Sequence, residues 1–217
     1  MMNPELDTAS LKSAASAFAV LESAHSEPSL FGVDNGKTVG TYLEHKFRSY
    51  LEERFTFEHG NSASGIDFPS LAVDMKVTSA RQPQSSCPFK SAREKVYGLS
   101  YSLLVFVYDK TDNAIAKTSR LNIAHTIYVD APYTGDYQTT KGLAGILDRN
   151  GNEDDVIGFL FDRNLPVDEI LAQQLAAEIL SNRPLQGYLT ISNALQWRLQ
   201  YQRAIDLAGT VDGVTRL

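Results

Sequence analysis

The chain is short of the residues that build several common kinds of catalytic and binding site. It has a single cysteine, Cys87, among 217 residues, which excludes an intrachain disulfide and a thiolate zinc cluster. Its four histidines are scattered without His-x-x-x-His or His-Asn-His spacing, and no Walker-type glycine-rich loop occurs. The sequence therefore predicts neither a histidine metal centre nor a nucleotide cofactor.

Long hydrophobic runs are also missing. The longest, residues 101–108, has the length of a strand, so no secretory or membrane-spanning segment is predicted, no membrane partner is expected, and we expect a cytoplasmic protein. A hydrophobic share of 43% and an aromatic share of 10% are those of an ordinary globular protein. At this length the chain can bury a sizeable core as one domain, with or without a small appendage.

Positive charge is in deficit, with a formal net charge of −6. The deficit is uneven, however. Residues 76–120 are locally basic, whereas much of the acidity lies at residues 52–53, 153–155 and 168–169. A basic face for a polyanion is therefore compatible with the negative total.

What the sequence does contain is a charged pair inside an apolar strand. Over residues 71–78 apolar residues alternate with others, so a period of two places Asp74 and Lys76 together on the face opposite Val73 and Met75. Burying a carboxylate and an ammonium is costly unless they pair or bind a metal. On its own, an Asp-x-Lys triplet is more typical of a solvated edge strand with a weak surface ion pair.

Asp67 adds a second carboxylate. A strand is predicted over residues 65–68, and the turn signal Pro69-Ser70 would then bring Asp67 opposite the start of the next strand. Two converging carboxylates, with water and phosphate in the remaining positions, suit Mg²⁺. Lys76 on the same face could orient or deprotonate a water molecule and offset negative charge in a transition state.

Glu44 is the third acidic candidate. Apolar residues at helical spacing predict a helix over residues 37–54, and Glu44 precedes the apolar Phe47 by three positions, which places it on the buried side. A lone carboxylate there would be expensive unless it served a site. The alternative is an i,i+4 ion pair between Glu44 and Arg48 on a half-exposed helix flank.

A helix with an inward glutamate, a small-residue loop at residues 60–65, and Asp67-x6-Asp74-x-Lys76 together resemble the PD-(D/E)xK nuclease superfamily. The short gap is similar to that of the MutH endonuclease and the type II restriction enzymes grouped with it. The resemblance implies that Asp67, Asp74 and Glu44 bind Mg²⁺ and that Lys76 is the catalytic lysine. Asp74 stands where those relatives usually carry glutamate, and Ile66 replaces the usual proline.

The resemblance also implies a function. A chain of this size without helicase or ATPase motifs fits a type II restriction endonuclease that hydrolyses phosphodiester bonds of double-stranded DNA and leaves a 5′-phosphate and a 3′-hydroxyl. Two alternatives stay open: a MutH-like repair enzyme that nicks one strand, and a non-catalytic DNA-binding protein with the same fold. Cutting both strands favours a homodimer on a palindromic site, although a monomer that nicks twice would also serve.

The expected fold class is α/β: a restriction-endonuclease-like central mixed β-sheet flanked by helices, with a helical C-terminal portion. Residues 1–33 form an N-terminal helical segment with a helix over 8–25, residues 34–150 the catalytic core, and residues 151–217 the C-terminal portion. The central sheet would contain strands at 65–68, 71–78, 101–108 and 122–130, the third of them central because it is nearly all apolar. Further helices are predicted at 153–163, 167–181 and 190–208.

DNA contacts are predicted beside the charged strand. A polar loop over residues 81–88 and a short helix over residues 89–99 would present four basic side chains, namely Arg81, Lys90, Arg93 and Lys95. Thr140 and Lys141, at the start of another helix, could hold a phosphate. Arg198 and Arg203 are weaker candidates. The alternatives are ordinary solvating charges in the first group and a plain helix cap in the second.

Overall fold

The structure, a computed structural model, describes residues 3–60, 65–191 and 198–217. The helices are α1 (Thr8–Ala24), α2 (Gly36–Glu52), α3 (Ala92–Tyr97), α4 (Tyr137–Asp148), α5 (Glu153–Asp162), α6 (Glu169–Ser181) and α7 (Gln202–Leu207). The strands are β1 (Val73–Ser79), β2 (Gln84–Ser86), β3 (Ser102–Asn113), β4 (Thr118–Val129), β5 (Thr190–Ile191), β6 (Arg198–Gln200) and β7 (Val214–Arg216). Within the described ranges, no helix is both long and apolar enough to cross a membrane.

The main sheet has the strand order β1-β3-β4-β7. β1 runs parallel to β3, with Val73 beside Ser102, and the other two pairings are antiparallel. The sheet is therefore mixed, and the α/β class is confirmed. β3 lies inside the sheet and its residues 103–107 are fully buried, so the prediction of a central apolar strand is confirmed. β1 lies at the end of the order and leaves one edge open.

The two faces of the main sheet are covered by different elements. α1 and α2 cover one face, where Phe18, Phe47 and Phe106 form tilted and edge-on ring contacts at 5.0–5.8 Å. The other face packs on Leu199 and Tyr201 near the C-terminus. A third apolar cluster joins α3 to α4, α5 and α6. The proposed division at residues 33 and 150 stays a prediction.

Helix α2 follows from its sequence pattern. The Asn35 side chain accepts a hydrogen bond from the Lys37 amide and so caps the helix. The apolar positions that predicted it, including Leu43 and Phe47, are buried against the sheet. Gly40 faces β1, where a Cβ would make an ordinary contact of 3.9 Å with Val77 Cβ. The helix therefore holds Glu44 and Arg48 beside β1.

The C-terminal portion corrects the predicted fold. α5 and α6 confirm two of the predicted helices, but the helix predicted over 190–208 is wrong: β5 and β6 lie there, only α7 is helical, and residues 192–197 fall outside the described part. β2 forms within the predicted polar loop 81–88. These short strands form a second sheet of order β2-β6-β5. The alternation along β6, with Leu199 buried and both its neighbours exposed, is the pattern of a strand, whereas a helix places residues three or four apart on one face.

Candidate active site at the open edge of the main sheet

A tight turn brings Asp67 to the edge of β1. The strand predicted at residues 65–68 does not form: Phe68 and Val73 exchange two backbone hydrogen bonds of 3.0 and 3.2 Å, and residues 69–71 between them form one turn of 3-10 helix. Pro69 explains the difference, because it lacks an N–H and its fixed φ suits the first turn of a helix. Ala72 closes the turn in the left-handed region, with φ 50° and ψ 51°.

The Asp67 carboxylate is anchored on both oxygens. Oδ2 accepts a 2.9 Å hydrogen bond from the Met75 amide on the open edge of β1, and Oδ1 accepts one of 3.0 Å from Arg48 Nη2 on α2. The Gly60 amide donates to the Asp67 carbonyl, and a Cβ at Gly60 would lie 2.0 Å from the Ile66 carbonyl oxygen. Only glycine fits there, so the chain before the loop also fixes Asp67.

Asp74 is the most buried of the three candidate acids. Its side chain is 3% exposed, and Lys76 Nζ lies 2.6 Å from its Oδ2. The contact is an ion pair whose angles are not those of a hydrogen bond. In the described structure Oδ2 therefore accepts no hydrogen bond. Burial raises the Asp74 pKa, the Lys76 charge opposes that rise, and the neighbouring Asp67 adds to it, with a net pKa of about 7. Asp74 therefore needs positive charge that Lys76 alone does not supply.

Glu44 approaches the same group from α2. It is half-buried, and its pKa is raised first by burial and then by the charge of Asp67, while Lys76 and Arg48 lower it. The alternative pairing of Glu44 with Arg48 is not formed, because Arg48 directs Nη2 to Asp67. These charges show that Glu44 lies near Asp67, Lys76 and Arg48, and its role in the site stays a prediction.

The donor set suits a hard divalent cation. Its donors are carboxylate oxygens, and one of them, Asp74 Oδ2, is buried without a hydrogen bond, which a cation would relieve. In the described ranges no three Asp, Glu, His or Cys side chains are grouped closely enough to enclose an ion. Two carboxylates, with water and a phosphate oxygen in the other positions, are the usual coordination for Mg²⁺.

Comparison with known proteins identifies the chain. A family model described as "Type II restriction enzyme NspV" matches residues 5–216. The chain belongs to this family. A curated relative of the same name from Nostoc sp. (strain ATCC 29411 / PCC 7524) is 63% identical over 204 residues, which cover 94% of this chain and 93% of the relative. No solved structure matches the chain. The prediction of a type II restriction enzyme is confirmed.

In this NspV-family chain, two side chains that were predicted to contact DNA are buried, which corrects the prediction. Lys95 is 1% exposed, and burial lowers its pKa while the charge of the nearby Asp136 opposes that shift. Thr140 is also 1% exposed, and its hydroxyl donates to the Asp136 carbonyl and accepts from the Gly187 amide. Both side chains hold the protein together rather than face a ligand.

The other predicted contacts have mixed surroundings. Arg81 is exposed and lines a cleft of about 630 Å³ at the C-terminal end of β1. Lys90 and Lys141 are exposed. Arg93 is engaged by Glu178 through contacts of 2.6–3.1 Å. Arg203 stacks on the Tyr137 ring at 3.7 Å. Arg81 is therefore the predicted cation that lies nearest in sequence to Lys76 and faces an open cleft.

Arg48 is a site residue that was not among the candidates predicted from the sequence. The i,i+4 spacing paired it with Glu44, yet it reaches 3.0 Å from Asp67 across the turn. The available signal was its position on α2 four residues after Glu44, where a half-buried guanidinium needs a carboxylate partner. In this NspV-family site Arg48 fixes Asp67 and balances part of its charge.

Proposed function

We propose that the protein is a Mg²⁺-dependent endonuclease that hydrolyses phosphodiester bonds at specific sites in double-stranded DNA. The observation that carries the proposal is the buried, incompletely satisfied Asp74 beside Asp67 and Lys76 in a chain of the NspV family. Assignment to the PD-(D/E)xK superfamily, and within it to the MutH-like group, is part of the same proposal and is supported by the Asp67-x6-Asp74-x-Lys76 spacing.

The site residues divide the work. Asp67 and Asp74 would hold the ion, and Glu44 would reach it through water. Bound Mg²⁺ would polarise the phosphate and supply positive charge at the attacked phosphorus. Lys76, whose Nζ is 2.6 Å from Asp74, would hold the attacking water and stabilise the negative charge that develops on the phosphate oxygens.

Arg48 and the Met75 amide would keep the site in its reactive geometry. They hold both oxygens of Asp67 before any ligand arrives, so little reorganisation is needed on binding. The expected products carry a 5′-phosphate and a 3′-hydroxyl, as the resemblance to the superfamily implies. We further propose a homodimer, because one protomer per strand makes a double-strand cut at a symmetric site. We also propose that the protein acts in the cytoplasm.

Incubation with mixed-sequence DNA and Mg²⁺ tests the proposal. Discrete fragments are expected, and chelation of the metal should abolish them. Plasmid should become linear; accumulation of open circles would instead indicate a nicking enzyme. A smear would refute site specificity, and absence of cleavage across a range of divalent ions and DNA sequences would refute the activity.

Lys76→Ala provides the residue-level test. Loss of one preorganised charge of this kind costs roughly 100- to 1,000-fold in rate. The matched control is Lys12→Ala on α1, whose ammonium lies 3.9 Å from the Tyr128 ring and away from β1. The control should cleave as the unmodified protein does. Equal rates for the two variants would show that Lys76 is not catalytic.

A further inference from the structure

The small sheet β2-β6-β5 has two chemically different faces. Leu199 on β6 pairs with Ser85 and Ile191, and these three residues face inward: Leu199 is 0% and Ile191 5% exposed, and the Ser85 hydroxyl lies 2.7 Å from the buried Tyr201 hydroxyl. Because side chains alternate along a strand, the neighbouring positions face outward. The outward positions are Gln84, Ser86, Thr190, Arg198 and Gln200.

The outward face carries hydrogen-bonding groups only. It holds two amides, one guanidinium and two hydroxyls, and these three strands contain no carboxylate. Gln84 lies beside Gln200, and Ser86 beside Arg198. Arginine pairs with the guanine edge and glutamine with the adenine edge through two hydrogen bonds each, and hydroxyls reach either base. The face thus has the chemistry of base readout rather than that of a solvated surface, where lysine and glutamate would be expected.

The same sheet is tied directly to the catalytic strand. Thr78 follows Lys76 by two residues and lies on the same face of β1. Its hydroxyl accepts a 2.9 Å hydrogen bond from the Gln84 amide and lies 3.1 Å from the Gln84 carbonyl oxygen, to which it donates. The two-residue step from Lys76 to Thr78 spans about 7 Å along the strand, which is close to the length of two base pairs along the DNA axis. Gln84 and Arg198 also line the 630 Å³ cleft with Arg81.

We propose that the β2-β6 ribbon enters the major groove of the bound DNA and that Arg198, Gln200 and Gln84 bind base edges and set the recognition sequence. The inference rests on the proposed endonuclease function. A two-stranded ribbon fits the major groove, which is about 12 Å wide. The Thr78–Gln84 link fixes the distance between the base-reading groups and the scissile phosphate, so the site read and the bond cut stay in register.

The test compares Arg198→Ala and Gln200→Ala with the unmodified protein on its cleaved site and on a set of sites with one base pair changed. Each lost bidentate contact is expected to lower the preference for the original pair at one position roughly 5- to 150-fold, the equivalent of about 1–3 kcal/mol. Weak binding to unrelated DNA, measured with Ca²⁺ in place of Mg²⁺, should change much less. Arg149→Ala and Gln173→Ala, two exposed residues on or after helices, are matched controls expected to keep the original preference.

Gln200→Glu guards against simple loss of folding. It keeps the size of the side chain but replaces a donor by an acceptor, so it should fold normally and lose the same preference as Gln200→Ala. If discrete fragments are obtained from the unmodified protein but all three variants keep its site preference, the inference is wrong while the endonuclease function stands. If the variants change self-association instead of site preference, this face binds protein and the inference is also wrong. Absence of cleavage by the unmodified protein would overturn the function itself.

Discussion

Two carboxylates in this protein are almost equally buried and differently satisfied. Glu22, on α1, is 2% exposed; Tyr42 donates a 3.0 Å hydrogen bond to one of its oxygens, and Lys46 Nζ lies 2.8 Å from the other. Asp74, on β1, is 3% exposed, and its Oδ2 has a close ammonium but no hydrogen-bond partner in the described part of the chain. Burial alone therefore does not distinguish a structural acid from a candidate catalytic one; the completeness of its partners does.

The contrast separates stability from chemistry. Both acids have an ammonium within ion-pair distance, but Glu22 also accepts the Tyr42 hydrogen bond, which joins α1 to α2 as expected of a group that holds two helices together. In the Asp74 site Lys76 offsets only part of the cost of burying the carboxylate, so the ionised acid lowers the folding free energy gain. A protein retains such a cost where binding of a cation and a substrate repays it.

The largest expected effect comes from Asp74→Asn. Cleavage should fall by at least roughly 100- to 1,000-fold, as for the loss of other preorganised charges. The free energy of unfolding of the metal-free protein at pH 8 should rise by about 1–2 kcal/mol, because the raised pKa reports the cost of the charge. Cleavage assays and urea unfolding measure the two quantities. A variant that loses both activity and stability would place Asp74 in the same class as Glu22.

The corresponding neutralisation of the structural acid is Glu22→Gln. It removes the charge that pairs with Lys46 and leaves a buried amide in its place, so the free energy of unfolding should fall by about 1–3 kcal/mol. Its cleavage rate at 20 °C should match that of the unmodified protein, since the described partners of Glu22 are Tyr42 and Lys46 and not the residues proposed to bind the metal. Reduced cleavage by a fully folded Glu22→Gln protein would break the comparison.

A third expectation concerns pH. The pKa of Asp74 is raised from 3.8 to about 7 in the folded protein, so the folded state binds more protons than the unfolded state between these values. Its contribution to stability therefore falls as pH rises from about 4 to 7 and is level above that. The difference in unfolding free energy between Asp74→Asn and the unmodified metal-free protein should grow over this range, and a constant difference would argue against the raised pKa.

Metal binding gives an independent measurement of the same group. Binding of Mg²⁺ favours the ionised carboxylate, so about one proton should be released near pH 6 and almost none above pH 8. Calorimetry in two buffers of different ionisation enthalpy counts these protons. Asp74→Asn should remove this release if the variant still binds metal. Proton release that is unchanged in the variant would assign the titration to another acid, such as Glu44.

The smallest expected effect lies in the turn that places the two aspartates side by side. Ala72 has φ 50°, which glycine adopts without strain, but glycine also gains freedom in the unfolded chain. Ala72→Gly should therefore change the unfolding free energy by less than about 1 kcal/mol and leave cleavage intact. Ala72→Val should cost about 1–2 kcal/mol, since a branched side chain is strained there. A large loss of activity in Ala72→Gly would show that turn rigidity contributes to catalysis.

The sequence alone predicted those elements of the site whose apolar residues recur with a regular period. The alternation around Asp74 and Lys76 predicted a strand, and the 3.6-residue spacing around Leu43 and Phe47 predicted α2, because each pattern is repeated over enough residues to fix a face. The seven-residue distance from Asp67 to Asp74 also brought out the candidate site, although a proline-started turn, rather than a hairpin strand, places Asp67 there.

Other features depend on tertiary contacts that local patterns do not encode. Strands of three residues such as β2 and β6 are too short for a period to be recognised, so residues 198–200 were read as helical. The burial of Lys95 depends on what packs around the six-residue helix α3, and the neighbouring residues in the sequence do not report it. The partner of Arg48 was missed because Asp67 is nineteen positions away along the chain.

The position of β1 at the open end of the main sheet has one more consequence. An unpaired sheet edge can recruit a strand from another molecule, and proteins protect such edges with charge or by occupying their amides. Here the Met75 amide is taken by Asp67, and charged side chains project from the same strand. Asp67, one of the acids proposed to bind the metal, therefore also protects an edge that could pair with a strand of another molecule. Its removal would lower the resistance of the protein to aggregation as well as its activity.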